Sequence, residues 1–489
     1  MLLASLLMLS CTPQPEVFVV DSHEVSVELI NPTLADPFDG VEVFRLEIEN
    51  LDGMKLLEEE WASGDSFEMP SLDIYGVVRF VLTGLSLTGE TLSLGRSAPI
   101  ALTPRVERIV PITFVPINEV LPLKSEMGTR RALHATETLP DGRVVIFGGI
   151  DADEMESTGA IEYYDSETGG FIPSLSHLGY TVYSPTWDIN DDGEIVVAGG
   201  ASYTNDTLAP QRTTVSFDPI RDQVSQLPNM YKPRHGHCFQ FLWESFGVAI
   251  GGGAISSTDY DESMYYRMET LRPETGTGTW EWTDFDFSTA QYFYTIETQE
   301  CVALDDGRLF ITGWDHFSTG VLDYPNDGSH LPAHLEMIDP DAQDSSLMKF
   351  LTGPTLIPRD HSVLMIGGAH YNVQTGWQMA SSPTEFDLDS RRFITTADLD
   401  LEPRIFGSID EWIDPDTFVV GCGYRDVGAS QFQKSLEIVD LTIGGRRIEL
   451  ELDQIRSGCR VNAMPDGAIL VTGGYQSGPS ASIVVPWFE

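Results

Sequence analysis

Arginine recurs at one position of a repeated sequence pattern, and the chemistry it offers is anion recognition. Seventeen residues before the first glycine of each recurring glycine pair, the chain carries Arg131, Val182, Arg234, Ile296, Phe350, Arg404 and Arg456. Guanidinium groups bind carboxylate and phosphate oxygens through parallel hydrogen bonds. If the repeats form a ring, four arginines at one height predict a positive rim that binds an anion or an acidic peptide. The alternative is that each arginine pairs with an acid of its own repeat.

Two histidines and one acidic loop are the other candidates. His134 and His237 each lie fourteen residues before such a glycine, where they either bind a ligand or serve the fold. Asp188, Asn190 and Asp192 alternate as calcium ligands do at the start of an EF-hand loop, but the closing glutamate is missing. The flanking apolar runs favour a β-hairpin tip instead. The sequence contains no nucleotide-binding loop, zinc-protease motif or serine-hydrolase elbow, and we predict no cofactor.

The elements that would position these side chains repeat about every 50 residues. The first glycines of the pairs, two of them degenerate, are Gly148, Gly199, Gly251, Gly313, Gly367, Gly421 and Gly473, with spacings of 51, 52, 62, 54, 54 and 52 residues. Seven residues before each stands an acid: Asp141, Asp192, Glu244, Asp306, Asp360, Asp414 and Asp466. Glycine follows four of these acids, and Asp-Gly between apolar runs predicts a β-hairpin turn. Each repeat therefore reads as strand, turn, strand and glycine pair, followed by two further strands.

Seven such copies over residues 117–489 resemble the kelch repeat family. The resemblance implies a seven-bladed β-propeller of four-stranded blades. The last copy lacks a fourth strand, and the apolar segment 119–123 is available to complete it. This pairing would remove the open edge of the ring. The family's usual fourth-strand tryptophan is mostly absent, with Trp280 and Trp282 as the best matches.

Galactose oxidase is a copper enzyme on a kelch propeller, and this chain resembles it only in part. The corresponding motif would be a Tyr-His pair after arginine, whereas the sequence here runs Arg234-His235-Gly236-His237. A secreted galactose-oxidase-like or other carbohydrate-active enzyme is therefore the alternative function. The preferred prediction is a non-enzymatic recognition or scaffold protein that binds a protein, peptide or glycan ligand.

Residues 17–116 predict a separate domain. Apolar and polar residues alternate in segments 25–30, 41–48 and 77–82, and turn residues separate these segments. Alternation with period two is typical of strands with one buried face. The segment is expected to form an antiparallel β-sandwich, immunoglobulin-like in architecture.

The first sixteen residues read as an export signal and a tether. A short apolar run, residues 1–10, is followed by Cys11, and residues 8–11 resemble the bacterial lipobox. The resemblance implies lipidation of Cys11 and location in the bacterial cell envelope, at the outer membrane or cell surface. No basic residue precedes the apolar run. The alternative is an ordinary signal peptide cleaved elsewhere and a secreted protein.

The remaining cysteines could form disulfides, and the net charge restricts the possible partners. Four more cysteines, Cys238, Cys301, Cys422 and Cys459, form two disulfides with three possible pairings, or stay as buried thiols. The formal charge of −47 repels phosphate backbones, so nucleic acid is excluded as a partner. We expect a monomer that contacts the membrane only through its lipid anchor.

Overall fold

The computed structural model describes residues 17–22, 25–65, 69, 74, 76–103, 107–242, 246–253, 267–273, 279–286, 300–312, 320–323, 334–337, 352–372, 376–380, 383–395, 401–414, 416–426, 431–441, 446–456, 458–475 and 480–488. The export signal with Cys11, and the glycine landmark Gly313-Trp314, lie outside these ranges. Within them, no helix has the length and apolar character needed to cross a bilayer.

The N-terminal region forms two sheets around one core. Its strands are β1 (Val17–Ser22), β2 (Val25–Ile30), β3 (Val43–Asn50), β4 (Lys55–Ala62), β5 (Gly76–Leu85), β6 (Thr91–Arg96), β7 (Ile100–Leu102), β8 (Arg108–Thr113) and β9 (Val115–Pro116). One sheet has the order β1-β2-β8 and the other β4-β3-β5-β6-β9, with β7 beside β5. Alternate residues of both sheets, such as Val27 and Phe80, share a buried cluster. The expectation of purely antiparallel pairing is wrong, because β2 and β8 run parallel.

The chain beyond residue 117 forms four-stranded antiparallel sheets. We call the strand that follows each recurrent arginine position the first strand of its sheet, and we number the sheets by the chain order of these first strands. Sheet 1 contains β12 (Ala135–Thr138), β13 (Val144–Phe147), β15 (Ala160–Asp165) and β16 (Gly170–His177). Sheet 2 contains β17 (Thr186–Ile189), β18 (Ile195–Ala198), β21 (Thr214–Asp218) and β22 (Gln223–Gln226). Sheet 3 contains β23 (His235–Phe241), β24 (Gly247–Gly253), β25 (Arg267–Pro273) and β26 (Trp280–Asp286).

Four more sheets follow the same plan. Sheet 4 contains β27 (Glu300–Ala303), β28 (Leu309–Thr312), β29 (Gly320–Asp323) and β30 (His334–Met337). Sheet 5 contains β31 (Thr352–Arg359), β32 (Ser362–Asn372), β34 (Thr384–Asp387) and β35 (Arg392–Thr395), with β33 (Gly376–Met379) beside β32. Sheet 6 contains β36 (Ser408–Glu411), β37 (Thr417–Gly421), β38 (Ser435–Asp440) and β39 (Arg446–Glu451). Sheet 7 contains β40 (Arg460–Ala463), β41 (Ile469–Thr472), β42 (Ala481–Val484) and β10 (Leu121–Pro122).

Sheet 7 joins the two ends of this region. The early strand β10 pairs with β42, Leu121 opposite Ile483, as the sequence predicts. First strands of successive sheets also pack against each other: β17 on β23, β23 on β27, β27 on β31, β36 on β40, and β40 on β12. Two small ribbons stand apart, β11 (Arg131–Ala132) with β14 (Ile150–Asp151), and β19 (Ala201–Thr204) with β20 (Thr207–Pro210).

The backbone conformation at the glycine pairs requires residues without a side chain. In sheet 1, Gly148 and Gly149 have φ of 64° and 96°, where a side chain is strained, and a Cβ on either would lie 2.8 Å from a backbone oxygen. In sheet 6 the pair with positive φ lies one residue later than the sequence predicts. The left-handed pair there is Cys422-Gly423, with φ of 61° and 82°, and Gly421 still belongs to β37.

Candidate functional site

The four arginines do not form an exposed rim, so that prediction is wrong. Their side chains are at most 2% exposed. Arg131 pairs with Glu162, Arg234 with Glu269 and Arg404 with Glu437, while Arg456 pairs with Asp453 and donates to Ser482 Oγ. Each partner glutamate lies on the third strand of the same sheet. The alternative interpretation from the sequence, pairing with acids of the same repeat, describes these contacts.

These arginines fasten the glycine pairs in place. The Nη1 of Arg131 donates to Gly148 O at 3.0 Å, and that of Arg234 to Gly251 O at 2.6 Å. The backbone carbonyl of Arg131 accepts the N–H of Gly474 from sheet 7 at 2.8 Å. Arg131 and Arg234 thus hold the glycine pairs of their own repeats, and the backbone of Arg131 joins its repeat to sheet 7.

The two predicted histidines also join neighbouring sheets. His134 Nε2 lies 2.9 Å from Thr472 Oγ1 of sheet 7, and His237 Nε2 lies 2.9 Å from Thr186 Oγ1 of sheet 2. Both are buried, and burial is the main cause that lowers the pKa of each imidazole well below its ordinary value. Each neutral ring links two sheets through Nε2, while its Nδ1 is buried without a partner among the described residues. That these histidines bind a ligand stays a prediction.

The weak calcium candidate does not assemble either. Asn190 Oδ1 accepts the backbone N–H groups of Asp192 and Glu194, which makes it part of a tight turn. Asp188 points away from that turn, because its Oδ2 accepts the N–H of Phe241 in sheet 3 at 2.6 Å. Within the described ranges, no three His, Cys, Asp or Glu side chains converge as metal ligands.

Residues whose backbone has a positive φ recur at the end of the sheets where the glycine pairs lie. Two residues after the recurrent arginine position, φ is 52° at Leu133, 46° at Ser184 and 53° at Phe406. Leu133 donates its N–H to Gly458 O, and Ser184 donates to Leu133 O, both at 2.8 Å. Non-glycine residues rarely adopt this conformation, and where they do the surrounding structure imposes it, often at functional sites. Adjacent sheets are thus linked through their entry turns.

Four tyrosines meet at this same end. We name Tyr183, Tyr203, Tyr424 and Tyr475 the tyrosine cluster. Burial, followed by the hydroxyls of the other three, raises the pKa of Tyr475 above its ordinary value. Tyr183 lies just before β17 of sheet 2 and Tyr203 lies on the β19–β20 ribbon, whereas Tyr424 and Tyr475 follow the glycine pairs of sheets 6 and 7. Side chains from sheets so far apart in sequence therefore share one half-buried surface.

His235 extends the tyrosine cluster. Its ring lies 5.4 Å from that of Tyr183, which in turn lies 6.5 Å from the Tyr203 ring. Its Nδ1 is buried and has no hydrogen-bond partner among the described residues. Burial lowers the pKa of His235 to about 4, so the imidazole is neutral at physiological pH. The cluster is an uncharged surface of aromatic faces and polar atoms.

The tyrosine cluster was not predicted from the sequence, because the site prediction was built on the recurrent arginines and not on the residues beside them. Tyr183 and His235 come one residue after the recurrent arginine position, and Tyr424 and Tyr475 come directly after a glycine pair. Both positions, one after the recurrent arginine and one after the glycine pair, can be recognised in the sequence. Tyr203 gave no such signal, since it stands on the β19–β20 ribbon outside the repeat.

A second polar group lies on the first strands of the sheets. Arg460 of sheet 7 donates from Nε to His134 O at 2.9 Å, and its guanidinium carbon stands 5.5 Å from the Trp187 ring centre. Trp187 Nε1 donates to Glu137 Oε2 at 3.3 Å. Burial, with smaller effects of Asp410 and Asp188, raises the pKa of Glu137 to about 7. These contacts connect sheets 7, 1 and 2.

Replacing Glu137 with Gln should change how stability depends on pH. The native carboxyl keeps its proton up to about pH 7, whereas the unfolded chain releases it near the ordinary value of 4.5. The native state therefore binds more protons in this window, and wild-type stability falls as pH rises through it. Urea unfolding in metal-free buffer should find the variant about 2–3 kcal/mol more stable relative to wild type at pH 8 than at pH 4. Parallel pH curves for the two proteins would contradict the raised pKa.

Comparisons with known proteins identify the class of fold. A scan against models of protein families finds no match, and a search of curated proteins finds none. The structure is similar to that of a fungal alcohol oxidase with catalytic diversity among the AA5 family, in complex with copper, at 15% identity and a TM-score of 0.55 over 76% of each chain. It is also similar to YjhT, at 14% identity and a TM-score of 0.46, over 67% of this chain and 99% of that one.

At such identity the likeness to the oxidase shows the fold alone. The chain has an all-β, kelch/β-propeller-like fold built from four-stranded antiparallel sheets. Copper(II) favours imidazole ligands. His134 and His237 each direct one ring nitrogen to a threonine hydroxyl, and no three His, Cys, Asp or Glu side chains converge as metal ligands in the described part of the chain. Among the described residues, the predicted histidines His134 and His237 therefore do not join other His, Cys, Asp or Glu side chains in a copper centre.

Proposed function

We propose that this chain is an exported recognition protein built on a closed seven-bladed kelch-type propeller. Sheets 1 to 7 are its blades, and the β10–β42 pairing closes the ring. The first strands, which pack on each other, would surround a central channel. The two N-terminal sheets form the immunoglobulin-like sandwich, and they join the propeller through a shared cluster that includes Leu94, Val115 and Met464.

The tyrosine cluster is the ligand site of this proposal, and the single observation behind it is the contact of the Tyr183 ring with the rings of Tyr203 and His235 at the end of the sheets where the glycine pairs lie. Tyrosine offers an apolar ring and a polar tip, and it loses little conformational entropy on binding. Such a surface suits a glycan or a peptide. An anionic ligand is no longer favoured, since the four arginines are buried in ion pairs.

The cell-envelope location is part of the same proposal. Cys11 would carry the lipid anchor, with residues 12–16 as tether. The pairs Cys238–Cys301 and Cys422–Cys459 form disulfides, which persist in oxidising, extracytoplasmic surroundings. The protein would act as a monomer that binds a protein, peptide or glycan and no nucleic acid.

Tyr475→Ala and Tyr424→Ala should each weaken ligand binding by about tenfold or more, as is usual for central aromatic residues of a binding site. Glycan and peptide arrays probed with residues 17–489 would supply the ligand, and titration calorimetry would measure its affinity. Tyr231→Ala is the matched control, because that tyrosine is 55% exposed and outside the cluster. If a ligand is found and both cluster variants bind it like the control, the site is misplaced.

The second candidate function is an oxidase or another carbohydrate-active enzyme. Tyrosine hydroxyls and an uncharged His235 at one end of the sheets favour it. Protein loaded with copper and offered alcohols or sugars would be assayed for hydrogen peroxide. Peroxide production that Tyr475→Phe abolishes would replace the recognition proposal, and its absence with a tight array ligand would retain it.

A further inference from the structure

A groove lies where the N-terminal sheets meet sheet 1. Its volume is about 810 Å³, which is within the size range of pockets that enclose drug-sized ligands. One wall is the chain from residue 28 to residue 38, which leaves β2 and leads towards β3. The other wall is formed by residues 124–125 and by the turn 167–170 between β15 and β16. No residue of the tyrosine cluster lines this groove.

The walls of the groove are attached to each other. The backbone N–H of Lys124 donates to Pro32 O at 2.8 Å, and its Nζ donates to Asn31 O at 3.0 Å. The turn 167–170 packs on the same segment, since a Cβ at Gly169 would lie 2.8 Å from the Pro32 Cβ. These contacts involve only the walls, so the groove has its shape before anything enters it.

The lining of the groove favours an apolar occupant without negative charge. Phe38 is half-buried, and its ring packs on that of Phe114 with the centroids 5.7 Å apart. Leu34 lines the groove and is nevertheless 85% exposed. The charged residues of the lining are three acids and one lysine: Glu28, Asp36, Glu167 and Lys124. This excess of acids disfavours an anionic ligand.

The register of β1 directs the start of the chain into this groove. β1 and β2 are antiparallel, with Val17 opposite Glu28. The residues before Val17 therefore continue in the direction in which β2 runs, past Leu29 and Ile30. Glu28, Leu29 and Ile30 all line the groove. Segment 12–16, which lies outside the described ranges, thus begins beside the groove.

The composition of this segment suits the lining. It reads Thr12-Pro13-Gln14-Pro15-Glu16, and its first four residues are uncharged. Prolines at alternate positions favour the extended polyproline II conformation, and they bring no N–H groups that would need an acceptor. Proline-rich segments bind grooves lined by aromatic side chains, because they are already extended and lose little entropy on binding.

We propose that segment 12–16 lies in the groove between the N-terminal sheets and sheet 1 and attaches the start of the chain to the folded body. The proposal replaces a free tether with a bound one. It depends neither on lipidation of Cys11 nor on a ligand at the tyrosine cluster.

The position of the groove would orient the protein on a membrane. The turn 167–170 follows the end of β15, whereas the glycine pair of sheet 1 lies beside the start of β15, where Gly148 donates its N–H to Ala160 O. The groove and the glycine pair are therefore at opposite ends of sheet 1. A lipid at Cys11 would then turn the tyrosine cluster away from the membrane, a consequence that rests on the proposed function.

A nitroxide at position 14, read by electron paramagnetic resonance, tests the docking. The protein is residues 11–489 with Cys11→Ser and Gln14→Cys, and its four other cysteines are in disulfides and do not take the label. We expect an immobilised label. Leu34→Ser should raise the ratio of mobile to immobile label at least about fivefold, because it removes apolar surface from the groove. Leu175→Ser is the matched control, since that leucine is 98% exposed on β16 outside the groove, and it should leave the ratio unchanged.

Hydrogen exchange tests the same docking without a label. The backbone amides of residues 31–38 should exchange at least about threefold more slowly in residues 11–489 with Cys11→Ser than in residues 17–489. Equal exchange in the two proteins would overturn the proposal whatever the label shows. An immobile label that Leu34→Ser does not release would overturn it too. So would immobilisation that disappears on dilution, because the segment would then lie in the groove of a second copy of the chain.

Discussion

Arg234→Ala should destabilise the protein by about 3–5 kcal/mol, the usual result of removing one partner from a buried ion pair. Arg234 Nε lies 3.0 Å from Glu269 Oε1, and both side chains are fully buried. Without the guanidinium, the partners that Glu269 would keep among the described residues are the N–H groups of Tyr231 and Lys232. The carbonyl of Gly251 would lose its donor as well. Chemical unfolding followed by circular dichroism measures the loss.

Two companion variants make this result interpretable. Arg221→Ala breaks the ion pair with Asp218, where the arginine is 74% exposed, and should cost less than about 1 kcal/mol. Arg234→Met/Glu269→Leu removes both charges and should recover much of the lost stability. A cost for Arg234→Ala no larger than that for Arg221→Ala would mean that the arginine is not buried against Glu269.

Loss of the Cys422–Cys459 disulfide should cost about 2–4 kcal/mol, as expected for a loop of this length. The bond closes a loop of 37 residues and joins the end of β37 in sheet 6 to the residue before β40 in sheet 7. Cys422 also occupies a left-handed glycine position. The bond therefore holds adjacent sheets together next to Tyr424.

Cys422→Ser/Cys459→Ser would be compared with wild type by thermal unfolding, with and without a reductant. Wild type should lose stability in the reductant, and the variant should lose less. Cys238→Ser/Cys301→Ser is the matched control, since that bond joins sheets 3 and 4 away from Tyr424. Equal melting of wild type in both buffers would show that neither bond forms or contributes.

The sequence was sufficient to predict the repeating architecture because backbone constraints recur. Asp-Gly turns and paired glycines specify positive φ, and the structure places Gly142, Gly193, Gly307 and Gly467 in that region. The pairing of segment 119–123 with the last repeat followed from a missing strand and an apolar segment that fits it. At Cys422 the register prediction failed, since a cysteine there adopts the conformation usually given to glycine.

The site was harder to predict because burial is not visible in residue type. Arginine at a recurrent position suggested a ligand, yet the same spacing brings it within reach of Glu162, Glu269 or Glu437 on the third strand. Those glutamates alternate with apolar residues and resemble ordinary strand positions. The tyrosine cluster depends on which sheets lie near each other in the fold, and the spacing of residues in the sequence does not encode that arrangement.

The pairing of β10 with β42 has a consequence for biogenesis and mechanical strength. Leu121 meets Ile483, and Asn118 exchanges hydrogen bonds with Trp487, so segments about 360 residues apart in the chain complete one sheet. During synthesis the early strand must wait, unpaired, until the last repeat emerges from the ribosome. Once the strand is paired, tension applied to the two ends of the chain would load this short β10–β42 pairing first, and its rupture would set the force that the folded protein withstands.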